Sequence, residues 1–286
     1  MVVDDLLSIG GASIEGAAVG SVSLHVRRRP GRQRPFLMVH GLSSNARLWD
    51  EVAGIVTDAG HDVIAIDLRS HGESEAPDEG YDTATAADDV AAIAGALGVS
   101  GCIVAGQSWG GDVVIQVAAR HPYVVAALAL IDGGWSDLSA SFPTWEACAS
   151  ALRPPEIDGT SADAMRDYFR SSHADWSAAA IEATLANMAV APDGTVSRRL
   201  SIPHHMQIVR SMWDDPPQRY YSEVHVPVLL MPALAPNSGR RERVMAAADA
   251  LGDATVREYV GADHDIHAQH PREVAADLLA LAGKVA

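Results

Sequence analysis

The chain has 286 residues, of which 48% are hydrophobic and 20% are charged, so it is long enough for one α/β domain with an insertion or for two small domains. Lys and Arg number 21 against 37 Asp and Glu, which gives a formal net charge of −16. Such a charge repels phosphate backbones and acidic membrane surfaces; it therefore argues against nucleic acid and membranes as partners and favours a neutral or weakly charged substrate.

The N-terminus, the apolar stretches and the cysteines together predict a cytoplasmic protein. The sequence MVVDDLLSIGG places two aspartates where a secretory signal has its basic segment. The longest apolar stretch, 123–131, is far shorter than the roughly 20 residues of a membrane-spanning helix. Two cysteines, Cys102 and Cys148, are too few for a disulfide framework, so we expect buried thiols.

Short apolar segments alternate with helical patterns along most of the chain. Alternation of Val22, Leu24 and Val26 predicts an early edge strand. Runs that are apolar on both faces, separated by helices, predict a mostly parallel sheet with helices on either side. The predicted buried strands are 36–40, 63–67, 102–106, 126–132 and 226–233, a last strand is predicted at 255–260, and helices are predicted at 83–98, after Ser108 and from Pro271.

The alternation stops after Ile131. Up to about Tyr221 there is no buried strand pattern, and the helix-like pieces lie at 162–172, 177–189 and 204–213. We therefore assign 1–134 and 222–286 to a core domain and 135–221 to a helical cap. Nine of the fifteen aromatic residues lie in the cap, which favours a pocket for a hydrophobic small molecule. We expect the following side chains to line it: Trp135, Trp145 and Trp213.

Ser108 lies in the segment GQSWGG, between a predicted buried strand and a predicted helix. A turn this tight strains the serine backbone and brings together the residues two before and two after it. Only very small side chains fit there, and those positions are Gly106 and Gly110. The pattern predicts a nucleophile exposed on a strand-to-helix turn.

A serine hydroxyl needs a base, which is usually a histidine held in one tautomer by a third group. Among the 12 histidines, His264 follows the last predicted strand, at the sheet edge where Ser108 is also expected. His264, His267 and His270 also recur at a spacing that zinc could use. The serine turn already explains His264, so we predict no metal and no cofactor.

The oxyanion of an acyl-transfer intermediate needs two hydrogen-bond donors, commonly backbone N–H groups. We expect one from Trp109, the residue after the serine. The second is expected from Leu42, because Gly41 permits a backbone turn that points this N–H into the site. His40 is expected to orient the loop.

Four segments in this order, HGL (40–42), DLRSHGES (67–74), GQSWGG (106–111) and GADHDIH (261–267), resemble the α/β-hydrolase superfamily. The resemblance covers roughly residues 20–132 and 226–284 and leaves the insertion as the variable cap. It implies the α/β-hydrolase fold, with Ser108 as nucleophile, His264 as base, and Leu42 and Trp109 as oxyanion donors. It also implies that Asp67 and Arg69 are tied into structural hydrogen bonds.

The acid of the triad departs from the common pattern of this family. Many members carry an aspartate a few residues beyond the strand that here reads VPVLLMP, but Ala233 and Pro236 stand at those positions. Other members place the acid after the strand that follows the nucleophile helix, where this chain has Asp132. Asp132 is the expected acid, with Asp137 and Asn237 as alternatives.

A serine nucleophile favours esters, lactones and thioesters of moderately hydrophobic acids, cleaved through an acyl-enzyme. Epoxide opening or halide displacement would leave an ether on serine that cannot be hydrolysed. Carbon–carbon bond hydrolysis of a diketone uses the same groups and stays an alternative. A second alternative is a ligand-binding or cofactor-free, non-hydrolytic protein of this fold, because no acidic residue stands at the common position of the acid.

Overall fold

The computed structural model describes residues 1–10, 21–235 and 239–285. An eight-stranded sheet runs through the centre of the molecule, in the order β1-β2-β4-β3-β5-β6-β9-β11. All neighbours from β4 to β11 are parallel, and β1–β2 and β2–β4 are antiparallel. The strands are β1 (Val3–Ile9), β2 (Val22–Arg29), β3 (Gln33–Val39), β4 (His61–Ile66), β5 (Cys102–Gln107), β6 (Val125–Ile131), β7 (Met188–Val190), β8 (Val196–Arg198), β9 (Val228–Met231), β10 (Ala233–Leu234), β11 (Ala254–Val256) and β12 (Tyr259–Val260).

Helices cover both faces of the sheet and fill most of the segment 135–221. Three short 3₁₀ helices lie at Ala46–Trp49, Pro122–Val124 and Pro217–Glu223. The α-helices are α1 (Asp50–Asp58), α2 (Thr83–Ala96), α3 (Trp109–Arg120), α4 (Leu138–Ser141), α5 (Trp145–Leu152), α6 (Ala162–Ser172), α7 (Ala178–Leu185), α8 (Ile202–Asp214), α9 (Arg240–Leu251), α10 (Ile266–Gln269) and α11 (Pro271–Lys284).

The central strands are apolar on both faces because each face is covered by helices. In β3, Leu37 and Val39 join the core under α2, α3 and α9. Phe36 and Met38, which alternate with them, join the core under α1 and α11. Side chains of a strand point alternately to opposite faces, so one short run supplies both cores. The predicted fold class, a mostly parallel sheet flanked by helices, is confirmed.

Two details of the sequence-based prediction were wrong. The strand at Val22 is not at the edge, because Val3–Ile9 pairs outside it. That outer strand is mostly exposed and reads VDDLLSI without apolar alternation, so its pairing alone makes it a strand. The predicted strand at 255–260 is two short strands, β11 and β12, which pair with β9 and β10 respectively.

The segment 135–221 is mostly helical, with one addition that the sequence pattern missed. Helix α6 coincides with the predicted piece 162–172, and α8 extends the predicted piece 204–213 at both ends. In the predicted piece 177–189, the helix α7 ends at Leu185. The last residues of the piece belong to β7, which pairs with β8 in a two-stranded antiparallel sheet. Three-residue strands are too short to show a period of two, so only the pairing reveals them.

Both cysteines are free and buried, as predicted, and burial raises the pKa of the Cys102 thiol to about 12. No helix among the described residues combines the length and the apolar character needed to cross a membrane.

Candidate active site

Ser108 lies on a sharp turn between β5 and α3. Its backbone has φ 54° and ψ −123°, a conformation that is costly for a residue with a side chain. The turn brings Gly106 against Gly110 so closely that a Cβ on Gly106 would lie 2.1 Å from the Gly110 carbonyl oxygen. The structure therefore has the strained serine and the two obligatory glycines that the sequence predicts.

Two further loops close around this serine. A Cβ on Gly133 would lie 2.0 Å from the Ser108 carbonyl oxygen, and a Cβ on Gly41 would lie 2.9 Å from the Ser108 Cβ. Because both positions are filled by neighbouring atoms, only glycine lets these loops approach. The loop after β3 and the loop after β6 thus converge on Ser108, at the carboxyl edge of the sheet.

His264 and Asp132 form a hydrogen bond next to the serine turn. The distance from His264 Nδ1 to Asp132 Oδ2 is 2.6 Å, and a carboxylate can only accept, so Nδ1 carries the proton and Nε2 is left with a lone pair. The His264 carbonyl accepts a hydrogen bond from the Gln107 side chain at 3.2 Å. Gln107 directly precedes the serine, so the structure brings together all three predicted triad residues.

Asp132 is fully buried in its side chain and is held by three donors. Besides His264, the backbone N–H of Ala233 donates to Oδ1 at 2.9 Å, and Arg240 donates to Oδ2 at 3.0 Å. Asp132 itself has φ 44°, a strained conformation that turns its carboxylate towards the histidine. Such strain at a residue that is not glycine tends to occur at functional sites.

The alternatives for the acid occupy other places. Asp137 caps the N-terminus of α4, where its Oδ1 accepts from the backbone N–H of Ala140 at 3.0 Å. Asn237 lies outside the described residues.

The pKa of His264 is raised above its usual value. Burial acts to lower it, but the hydrogen bond that His264 donates to Asp132 and the negative charges of Asp265 and Asp132 outweigh this effect, and the charge of Arg240 opposes them. The side chain of His264 is 51% exposed, so water reduces the cost of charging the ring and the carboxylates dominate. A raised pKa favours the imidazolium, which a general base becomes during the reaction.

The two predicted oxyanion donors, Leu42 and Trp109, each belong to a segment that adjoins the serine. Trp109 is the first residue of α3, where backbone N–H groups have no partner within the helix. Leu42 follows Gly41, which contacts the Ser108 Cβ position. Neither N–H donates to another described residue, so both are free for an oxyanion.

Two buried imidazoles hold the loop that carries Leu42. His40 donates from Nδ1 to the Gly41 carbonyl at 2.7 Å and accepts at Nε2 from the Leu68 backbone N–H at 3.0 Å. His71 donates to the Arg69 carbonyl at 2.9 Å and accepts from the Ser43 backbone N–H at 3.1 Å. Burial lowers the pKa of both rings, that of His71 to about 3, so they stay neutral and keep these bonds.

The expected structural roles of Asp67 and Arg69 are confirmed. Asp67 accepts from the His25 ring at 2.7 Å and from the backbone N–H of Ala46 at 2.6 Å. Arg69 forms a two-point ion pair with Asp89, at 2.6 and 2.9 Å, and both side chains are buried. These bonds fix the loop after β4 beside the loop that carries Leu42.

The three histidines that could bind zinc by spacing have different surroundings. His264 binds Asp132, and His267 is fully buried against Trp49, with ring centroids 4.3 Å apart. Within the part of the chain that the structure describes, no group of three or more possible ligand side chains is close enough to hold a metal ion.

The structure brings together two of the three cap tryptophans. Trp145 and Trp213 are in edge-to-face contact with centroids 6.0 Å apart, in an apolar cluster against which Leu42 packs. Trp135 belongs instead to the main core and is 2% exposed. It lines a separate cavity of about 500 Å³ with Tyr221 and Arg243.

Comparison with known proteins gives the same fold as these features. A family model of the alpha/beta hydrolase fold matches residues 34–164. The crystal structure of an E-2-(acetamidomethylene)succinate hydrolase superposes with a TM-score of 0.80 at 21% identity, covering 99% of this chain and all of that one. The chain has the α/β-hydrolase fold.

Curated sequences similar to this chain match over very different lengths. The non-heme chloroperoxidase of Streptomyces lividans is 28% identical over 277 residues, which are 86% of this chain and 90% of that one. The AB hydrolase superfamily protein YisY of Bacillus subtilis is 38% identical over 91 residues, only 32% of this chain and 34% of its own length. Several curated relatives, including this one, are matched over only 34% to 42% of their own length.

Sequence reasoning missed two contributors to this site. Arg240 binds Asp132, although the two residues are 108 positions apart in the sequence. No local sequence pattern indicates such a pair. The segment 135–221 also forms hydrogen bonds with the loop that carries His264. His173 and Trp176 each bind Asp263 Oδ2, at 3.1 Å. The aspartates flanking His264 in GADHDIH were the only available sign of polar contacts at this loop.

Proposed function

We propose that this protein is a serine hydrolase that cleaves a carboxylic ester, lactone or thioester of a moderately hydrophobic substrate through an acyl-enzyme on Ser108. The observation that carries the proposal is the hydrogen bond of 2.6 Å between Asp132 and His264 beside the strained serine turn. Because His264 donates to Asp132 from Nδ1, its Nε2 is unprotonated. This nitrogen lies at the edge of the sheet where the serine turn also lies.

In the proposed reaction, His264 Nε2 takes the proton of the Ser108 hydroxyl as the serine oxygen attacks the carbonyl carbon. The negative charge that forms on the carbonyl oxygen is stabilised by the N–H groups of Leu42 and Trp109. The imidazolium, held by Asp132, then gives its proton to the leaving oxygen or sulfur. Water attacks the acyl-enzyme with His264 again as base, which frees the acid and restores the serine.

The cap supports a hydrophobic substrate. Trp145 and Trp213 pack near Leu42, so an apolar chain on the substrate would contact them while its carbonyl faces the oxyanion donors. The assignment of 135–221 as a separate cap and the cytoplasmic location of the protein stay predictions.

A fluorophosphonate probe tests the proposal directly, since it reacts with a serine that a base has activated. We expect the wild type to be labelled at Ser108 and Ser108→Ala to stay unlabelled. A folded wild type that resists labelling would refute the proposed activity and favour a ligand-binding protein. A panel of aryl esters, lactones and thioesters of graded acyl length, with a diketone beside it, separates ester cleavage from carbon–carbon bond hydrolysis.

A further inference from the structure

The loop that carries His264 is bound by the turn between α6 and α7. In this turn the Trp176 backbone N–H donates to the His173 carbonyl at 3.1 Å. The side-chain nitrogens Trp176 Nε1 and His173 Nδ1 each lie 3.1 Å from Asp263 Oδ2. Because an ionised carboxylate only accepts, both nitrogens donate to this one oxygen. The turn therefore holds the residue that directly precedes the proposed base.

Gln269 connects the same turn to the backbone of Asp263. Its Oε1 accepts from the Asp263 backbone N–H, and its Nε2 donates to Asp175 Oδ2, both at 2.6 Å. The hydrogen bond from Gln269 lowers the pKa of Asp175, so this carboxylate stays an acceptor. Asp263 is thus held at its side chain and at its backbone, and both sets of bonds lead to the turn that contains His173 and Trp176.

Packing restricts the Trp176 ring. Trp176 is 8% exposed, and its ring stacks on that of His173 with centroids 4.0 Å apart. It also belongs to an apolar cluster that joins α7 to α10 and to the first 3₁₀ helix. The other buried members of this cluster are Leu48, Ala180, Ile181, Ala183 and Ala268. A closely packed ring cannot turn its N–H away from Asp263 without opening the cluster.

The contacts of Asp263 matter more for position than for stability. The side chains of His173 and Asp263 are 27% and 38% exposed, and partly exposed pairs of this kind add little to the free energy of unfolding. A general base, however, must lie within hydrogen-bonding distance of the proton that it takes, and a misplacement of about 1 Å can lower a rate about 100-fold. The His264 side chain is 51% exposed, so its place depends on hydrogen bonds rather than on packing alone.

We propose that Trp176 and His173 are positioning residues for His264, which they hold in place through Asp263. This role rests on the proposed function of His264 as the base. The sheet binds the imidazole through Asp132, and the turn between α6 and α7 fixes the backbone just before it. A competent base therefore requires that this turn is docked on the loop, so the reaction depends on a contact made outside the central sheet.

Asp263→Ala tests the proposal, because it removes the acceptor of both rings. The measured quantities are kcat and KM for the best aryl ester of the panel and the rate constant for labelling of Ser108 by a fluorophosphonate. We expect kcat and the labelling rate to fall about tenfold or more, since the loop loses bonds that place the base. KM should change less than about twofold, because the substitution leaves the tryptophans proposed to contact the substrate in place.

The conservative variant Asp263→Asn should restore activity to within about threefold of the wild type. Its amide oxygen still accepts from Trp176 and His173, and its NH₂ group can face water because this side chain is 38% exposed. The variant removes the charge of Asp263 and keeps the bonds, so it separates position from electrostatics.

Asp193→Ala is the matched control. Asp193 lies in the turn between β7 and β8 and accepts two hydrogen bonds from Thr195, at 3.0 and 2.7 Å. The same change therefore removes two bonds to a carboxylate elsewhere in the segment 135–221, and kcat should stay within about twofold of the wild type. Trp176→Phe keeps a packed ring and removes only the N–H, so it should lower kcat by about threefold, and it should have no further effect in the Asp263→Ala background. It also keeps the test available if Asp263→Ala does not fold.

A spectroscopic measurement follows His264 without any substrate. In the wild type its Nδ1 proton is held by Asp132 at 2.6 Å, so the ¹H NMR signal of this proton should lie far downfield, as for a short charge-assisted hydrogen bond. Asp263→Ala should broaden the signal through faster exchange with water, and Asp263→Asn should retain it. A variant that is folded but only less stable would leave the signal unchanged.

The outcomes separate the two proposals. If the wild type and Asp263→Ala have the same kcat, labelling rate and Nδ1 signal, the positioning role is refuted and the esterase proposal stands. An equal loss in Asp263→Ala and Asp263→Asn would also refute it, because the charge of Asp263 would then be the cause. If the wild type is not labelled and cleaves no ester, the esterase proposal fails, and the Nδ1 signal still decides whether Asp263 holds His264.

Discussion

Asp132→Asn is the sharpest test of the proposed triad, because the structure shows what the amide would meet. The carboxylate accepts from three donors: the Ala233 backbone N–H, Arg240 and the His264 ring. An amide has one acceptor and one donor end. If its oxygen stays with Ala233, its NH₂ group faces the His264 ring, which must then move its proton to Nε2, the nitrogen that should act as base. If the amide turns round, its NH₂ group opposes the buried N–H of Ala233, and the imidazolium loses its negative partner.

Either orientation should lower kcat by about 10³- to 10⁴-fold, which corresponds to ~4 to 5 kcal/mol of transition-state stabilisation. The assay is the steady-state hydrolysis of a 4-nitrophenyl ester, with the unfolding midpoint measured in parallel to show that the variant is folded. The rate should be followed across pH, because loss of the carboxylate also removes an interaction that raises the pKa of His264.

Asp137→Asn is the matched control, since the same chemical change is made at an aspartate that caps α4. Asparagine is as good an N-cap as aspartate, so activity should stay within about twofold of the wild type. A decrease of less than tenfold in Asp132→Asn, or an equal loss in Asp137→Asn, would refute the assignment of the acid.

Three further predictions concern the surroundings of the site. Arg240→Met removes a positive charge that lowers the pKa of the base, so the midpoint of the rise of kcat with pH should move up; a downward shift would contradict the argument. Gly133→Ala places a methyl group 2.0 Å from a backbone oxygen and should lower the free energy of unfolding in urea by about 3 kcal/mol, whereas Gly54→Ala, which meets no atom within 4 Å, should not lower it. Arg69→Met leaves Asp89 buried without its partner and should cost about 3 to 5 kcal/mol. Since burial already raises the pKa of Asp89, the folded variant should bind a proton more tightly than the unfolded chain, so the loss of stability should be larger at pH 8 than at pH 5; an equal loss at both would show that the carboxylate is not the cause.

The layered fold and the serine turn could be predicted because their causes are local. Apolar runs such as FLMV of β3 need cover on both faces, and GxSxG needs its two glycines because the residues at those positions touch. The outer strand β1 and the cap strands β7 and β8 could not be predicted in this way. They are short or mostly exposed, and their backbone conformation comes from pairing with a distant segment.

For this protein, the sequence by itself determined the type of sheet and the position of the strained serine. It predicted His264 as the base and left Asp132, Asp137 and Asn237 as candidates for the acid. Only the tertiary structure decided that Asp132 and His264 bind each other and that Arg240 shares the carboxylate. The physical reason is the distance along the sequence over which each kind of interaction acts. Backbone strain and periodicity act between residues a few positions apart, whereas hydrogen bonds and ion pairs join side chains that the folded chain brings together from more than a hundred positions away.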